Sequence, residues 1–302
     1  MGQFLNRHVK NPTVKRTLNA LTASLRLLIG KEAAGRTATV FPDDVYLTSY
    51  PRSGNTWTRF LLGNLLNLND PATFVNIESR VPEIYFNADH VLRRLPRPRL
   101  LKSHEPFHPN YPQIIYIVRD PRDVAVSFYH HNIKAGAIPD DYPIDEFIPG
   151  FIAAKYDSSW GSWADNVMSW ISMREGQSNF LLLRYEDMQE NTARELLKIA
   201  RFLQKVGFPD IESSPEKLAR AVELSSPERM RALEKQQSRQ YHQLRRTRQD
   251  KPFIRGAKAG GWRADLPEPS LTLIESAWGS IMQNLGYPLS QQTLEEAEVA
   301  RP

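Results

Sequence analysis

The 302-residue chain has no cysteine, so disulfides, thiolate metal sites and cysteine nucleophiles are excluded, which fits a reducing, cytoplasmic setting. With 41% hydrophobic and 24% charged residues it reads as a globular protein with a sizeable core, and no apolar run approaches the roughly 18 to 20 residues of a membrane span. The net charge of +5 is concentrated at the start: residues 1–36 hold seven basic residues against Glu32, leaving 32 basic and 33 acidic residues elsewhere, too even a balance for a nucleic-acid footprint.

In chain order, Leu18, Leu21, Leu25 and Leu28 fall at helical spacing within the basic segment and predict an amphipathic helix. Packing on the domain is its simplest role; a transit peptide or a membrane-surface helix are the alternatives. "VYLTS" (45–49) reads as a buried strand, followed by a polar loop and a helix over about 56–67. "RLLKS" (99–103) and "IIYIV" (114–118) read as further strands, and Asp120-Pro121 opens a helix as N-cap and first residue. Aromatic spacing predicts a helix over 160–174, and "FLLLRY" (180–185) is another strand. "NTARELLKIARFLQKVG", "PEKLARAVEL", "PERMRALEKQQ" and "PSLTLIESAWGSIMQNLG" complete the helices. Apolar strands alternating with helices predict a parallel sheet covered on both faces in one domain. Segments 136–159 and 239–267, rich in Gly, Pro and charge, are candidate lids.

Four stretches carry chemistry. In "YPRSGNTW" (50–57), a strand-loop-helix junction gathers backbone N–H groups and the helix dipole at one point, with Arg52, Ser53, Gly54, Asn55 and Thr56 as donors and Trp57 as a flat face. It is an anion site or a plain turn; the P-loop pattern GxxxxGK[ST] is not matched. In "VRDPRDVAVS", Arg119 ends a strand and Ser127 lies eight residues on; an ion pair and a solvent-facing serine would explain them equally well. In "LLKSHEPFH", His104 follows a strand and is either structural or catalytic, while Pro106 and Pro109 argue against a helical zinc pair with His108. "PFIRGAKAGGWR" (252–263) is a phosphate-closing loop or a solvated one.

In their order and spacing these stretches, with "LLRYEDM", closely resemble the cytosolic-type sulfotransferase family over residues 42–287. The resemblance implies a P-loop-like three-layer αβα fold and transfer of a sulfuryl group from 3′-phosphoadenosine 5′-phosphosulfate (PAPS) to a small-molecule hydroxyl or amine. The product is 3′,5′-adenosine bisphosphate (PAP), and no metal, nucleic acid or integral membrane association is involved. It implies domains at 1–40 (basic extension), 41–290 (catalytic) and 291–302 (tail). Residues 52–57 would hold the 5′-phosphosulfate, Arg52 standing where a Lys is usual and also acting in catalysis. Arg119 and Ser127 would take the 3′-phosphate, Tyr185 and Ser225 the adenine side, and His104 would be the base. Arg255, Gly256, Ala257 and Lys258 would close the site, although "RGAK" departs from the usual Arg-Lys-Gly. A P-loop kinase-like phosphotransferase is the alternative enzyme, and a membrane- or nucleic-acid-binding protein the alternative outside catalysis. Tyr85, Phe86, Phe107, Tyr129 and Trp160 are candidates for an acceptor pocket, with core packing the simpler reading of each. Monomer or homodimer, and the acceptor itself, stay open.

Overall fold

The computed structural model describes residues 33–208 and 211–290. The N-terminal leucine pattern and the tail 291–302 lie outside the described residues. Four strands, β1 (Val45–Ser49), β2 (Leu100–Ser103), β3 (Gln113–Val118) and β4 (Phe180–Arg184), form one sheet in the order β2-β1-β3-β4. All pairs are parallel, with Val45 opposite both Leu100 and Gln113, and Ile114 opposite Phe180. Nearly every residue of β1, β2 and β3 is buried, which is why they read as unbroken apolar runs rather than alternating ones.

The alternation of side chains sorts the core into two layers. Tyr46, Leu101, Ile114, Tyr116 and Val118 face one side, against α2 (Pro121–Ala135), α3 (Ile144–Ile152), α4 (Trp163–Arg174) and α9 (Glu268–Asn284). Val45, Leu47, Ile115 and Ile117 face the other, against α1 (Asn55–Leu66), α5 (Tyr185–Glu190), α6 (Thr192–Lys205) and α7 (Pro215–Leu224). Helix α8 (Pro227–Gln237) packs Met230 on Phe60 and Phe74 in a smaller cluster. The expected three-layer αβα arrangement is therefore present. Each fully buried aliphatic side chain contributes about 1.5–3 kcal/mol, so both faces are needed to hold so short a sheet.

Helix starts follow local chemistry. The Asp120 carboxylate accepts from the Arg122 N–H ahead of Pro121, and Ser162 with Asp165 forms a reciprocal capping box for α4. One expectation changes. The weakly periodic stretch 136–159 contains α3, which buries Phe147, Ile148 and Phe151 and packs on α9. Pro149 and Gly150 mask its helical pattern, so Ile144–Ile152 is core wall rather than lid.

The chain runs from β1 to β2 on one side and then crosses to β3 on the other. The crevice at this switch lies at the carboxyl ends of the strands, where open α/β sheets bind ligands.

Candidate active site

The loop after β1 has an unusual backbone. Arg52 has φ 70° and Gly54, the N-cap of α1, has φ 95°. A Cβ on Gly54 would come within 2.4 Å of the Tyr185 ring, so this position requires glycine for both space and conformation. Asn55 Nδ2 donates to Ser49 Oγ at 3.1 Å and ties the helix start to the strand end. The first turn of α1 thus points its N–H groups and positive dipole end into the crevice. Trp57 Nε1 donates to the Ser225 carbonyl at 3.1 Å, and its ring meets Tyr185 edge-on at 5.6 Å.

Arg52 Nε donates to Ser127 Oγ at 3.1 Å, and its guanidinium lies 4.8 Å from the Phe253 ring centre. Burial, followed by the nearby Arg119 and Arg255 charges, pushes its pKa down to about 10, so it stays a cation at neutral pH. Arg119 stacks over Tyr185 at 4.2 Å and donates from Nη1 to the Arg52 carbonyl at 3.2 Å and from Nη2 to the Lys258 carbonyl at 3.1 Å. Arg119 Nε and Ser53 Oγ are buried donors with no hydrogen-bond partner, which suits an anion-holding wall.

The segment 255–262 is anchored through its backbone. Arg231 Nη2 donates to the carbonyls of Arg255 and Gly256 at 3.0 and 3.2 Å. Gln189 pairs with the Ala257 carbonyl and the Ala259 N–H. Asp123 accepts from Gly260 N–H at 2.7 Å and Trp262 N–H at 3.0 Å. The Arg255 guanidinium meets Asp265 at 2.7 Å, and Lys258 is exposed at the rim.

His104 leaves the end of β2 with Nδ1 2.7 Å from the Ser49 carbonyl. A carbonyl only accepts, so Nδ1 carries the hydrogen and Nε2 keeps a free lone pair. The His104 N–H donates to Tyr85 Oη at 3.0 Å, and the two rings are parallel at 6.4 Å. Burial, then the Lys102 charge, holds the imidazole well below its ordinary pKa, so it is neutral at neutral pH.

Lys102, two residues earlier on the same face of β2, carries no predicted role but stands beside His104 in the cavity. Its ammonium is bonded to Glu83 and is pushed down to about 8 by burial, against the raising effect of that carboxylate. Glu83 also accepts from Gln243 Nε2 at 2.5 Å and lies 3.8 Å from Arg59 Nη1. The Lys-x-His spacing at a strand end was the available signal for Lys102; nothing local pointed to Glu83. Glu78, Glu83 and His242 bring possible metal ligands within 4.8 Å, but both carboxylates are already engaged by Arg59 and Lys102.

These groups meet in one cavity of about 720 Å³. Every predicted site residue borders it except Ser53 and Ser225. Ser225, expected on the adenine side, does not line the cavity with its side chain. It is fully buried, donates to the Ala221 carbonyl at 2.8 Å and accepts from Asn64 at 2.9 Å, so only its carbonyl reaches the site, through Trp57. Of the aromatic candidates, Phe86 and Trp160 border the cavity and Tyr85 backs His104. Phe107 packs on Trp170 and Tyr129 on Phe147 instead.

The profile of the sulfotransferase domain family matches residues 42–286. Sulfotransferase 1B1 of Canis lupus familiaris is 36% identical over 180 residues, 54% of this chain and 60% of that protein. Sulfotransferase 1 family member D1 of Mus musculus is 32% identical over 240 residues, 74% of this chain and 77% of that protein. The match thus spans less than two thirds of the first relative's length and about three quarters of the second's. Among solved structures, retinol dehydratase in complex with androsterone and the inactive cofactor PAP superposes with a TM-score of 0.68 at 22% identity, over 82% of this chain and 83% of that one. At that identity the likeness speaks for the fold.

Proposed function

The chain belongs to the sulfotransferase domain family, and we propose that it moves the sulfuryl group of PAPS to a hydroxyl or amine of a small-molecule acceptor, releasing PAP. The observation that carries this reading is the single cavity in which the loop 52–57, Arg119 and Ser127 face His104 and Lys102. Cations and helix-end amides suit the two phosphate ends of PAPS, and retinol dehydratase and a mouse sulfotransferase, both solved in complex with PAP, support the choice of nucleotide.

When bound, PAPS supplies the electrophile: the acceptor atom bonds to sulfur as the bond from sulfur to the 5′-phosphate oxygen breaks, and PAP departs. Arg119 and Ser127 hold the 3′-phosphate; Arg52 and residues 54–56 hold the 5′ end. Trp57 and Tyr185, edge-on to one another, flank the base. His104 takes the acceptor proton on Nε2, and the Ser49 carbonyl, accepting from Nδ1, keeps that tautomer and stabilises the imidazolium that forms. Such a base contributes about 10² to 10⁴ in rate. Arg52 and Lys102 set positive charge against the negative charge growing on the leaving oxygen. These cations supply what a metal would, and the sulfuryl group carries less charge than a phosphoryl group.

His104→Ala tests the assignment, because it separates chemistry from binding. The variant should fold, keep its stabilisation by PAP in EDTA, and transfer sulfate at least roughly a hundredfold more slowly. Near wild-type turnover would remove His104 from the mechanism. Protection by ATP with magnesium but not by PAP in EDTA would favour a phosphotransferase.

A further inference from the structure

Two carboxylates border the acceptor side of the cavity, and they differ in kind. Glu83 is neutralised by Lys102 and Arg59 and also accepts from Gln243. Asp157 is not. Its partners are neutral N–H donors: the Ser159 amide at 3.2 Å and the Trp160 indole at 2.7 Å. Among the described residues no basic side chain forms an ion pair with it. These two bonds cap the Ser158–Trp160 turn and use one lone-pair site on each oxygen, leaving the others open. Trp160 and Tyr156 also line the cavity. A half-buried carboxylate beside aromatic faces attracts a cation both by its charge and through the rings' quadrupoles.

Position matters as much as charge. The Trp160 ring centre is 5.8 Å from that of His104 and its indole N–H holds Asp157, so the carboxylate lies within roughly 11 Å of the imidazole centre by covalent dimensions. One ring with a short side chain lies within that limit.

We propose, resting on the sulfotransferase reading above, that the acceptor is a hydroxylated amine whose protonated nitrogen sits on Asp157 while its hydroxyl faces His104. An ammonium has no lone pair, so the nitrogen held there is not the nucleophile. The hydroxyl oxygen bonds to sulfur, its proton goes to His104 Nε2, and the bond from sulfur to the 5′-phosphate oxygen of PAPS breaks to release PAP. Transfer is therefore O-sulfation. Arg246, exposed on the cavity rim and without an ion-pair partner among the described residues, makes the opposite case, an anionic acceptor.

The test uses the full chain, saturating PAPS and four acceptors built on one phenol: tyramine, N-acetyltyramine, 4-ethylphenol and 3-(4-hydroxyphenyl)propionate. Tyramine should exceed its uncharged N-acetyl form in kcat/KM by at least tenfold, the product should be the O-sulfate, and the propionate should be worst. Asp157→Asn should reduce the tyramine to N-acetyltyramine ratio at least fivefold. Trp160→Phe, which removes the indole donor but leaves the carboxylate, should retain most of it. Equal loss in both variants would mean that Asp157 only positions Trp160, and that overturns the proposal. So does a wild-type ratio near one with 4-ethylphenol turned over normally, a result that leaves the sulfotransferase reading intact. A preference for the propionate moves recognition to Arg246 and equally overturns it. No transfer to any of the four, with no binding of PAP, removes both readings together.

Discussion

Replacing Gly54 by alanine tests whether the anion loop is shaped for its ligand. The residue sits at φ 95°, a region that costs an L-residue about 1–2 kcal/mol. The added methyl would lie 2.4 Å from Tyr185 Cδ2 and 2.8 Å from Cε2. The ring is buried between Arg119, stacked at 4.2 Å, and Trp57, so it yields only by disturbing both. Overpacking of this kind adds about 1–3 kcal/mol, for a total of about 2–5 kcal/mol. At about 2–4 °C per kcal/mol for a domain of this size, Tm should fall by roughly 4–20 °C. PAP affinity, measured by calorimetry, should fall at least tenfold. Gly136→Ala is the control: it has φ 70° but open space around it, so it meets the backbone cost alone and should leave PAP binding as it was. If Gly54→Ala and Gly136→Ala behave alike, the close approach of the loop to Tyr185 has no part in binding.

Two further outcomes follow from buried charge. The rate should depend on pH through both groups at the end of β2. His104 must be neutral and its pKa is depressed, so activity should be lost only as pH falls below the ordinary imidazole value of about 6.5. Lys102 must be charged and titrates at about 8, so activity should decline as pH rises through that value. Glu83→Gln should move this alkaline limb lower, since the carboxylate favours the ammonium; an alkaline limb that stays put would exclude Lys102 as its source. Asp44→Ala should act on stability alone. Asp44 and Arg99 form a fully buried pair at 2.5 Å, joining the starts of β1 and β2, and breaking such a pair costs about 3–5 kcal/mol. Denaturant unfolding should show that loss while the folded fraction binds PAP with unchanged Kd.

What was legible in the sequence is what local physics dictates. Strands buried on both faces must be apolar throughout, so β1 and β3 read directly from their runs, and Asp120-Pro121 announced its helix by capping chemistry. The candidate anion loop was visible because backbone amides, a left-handed glycine and a helix start have to be consecutive. The pairing of Lys102 with Glu83 across 19 residues, and of Asp44 with Arg99 across 55, has no period or spacing to betray it. Ser225 illustrates a subtler limit: its contact with Trp57 is through a carbonyl that any residue would supply, while its hydroxyl serves the packing of α1 on α7. The segment "RGAK" looked deficient because a loop is judged from sequence by its own side chains. In the fold its shape comes from Asp123, Gln189 and Arg231, all outside it, which hold its backbone over the crevice. A cation missing from the loop therefore weakens its charge more than its geometry, and Arg52, Arg119 and Arg255 still surround the same space.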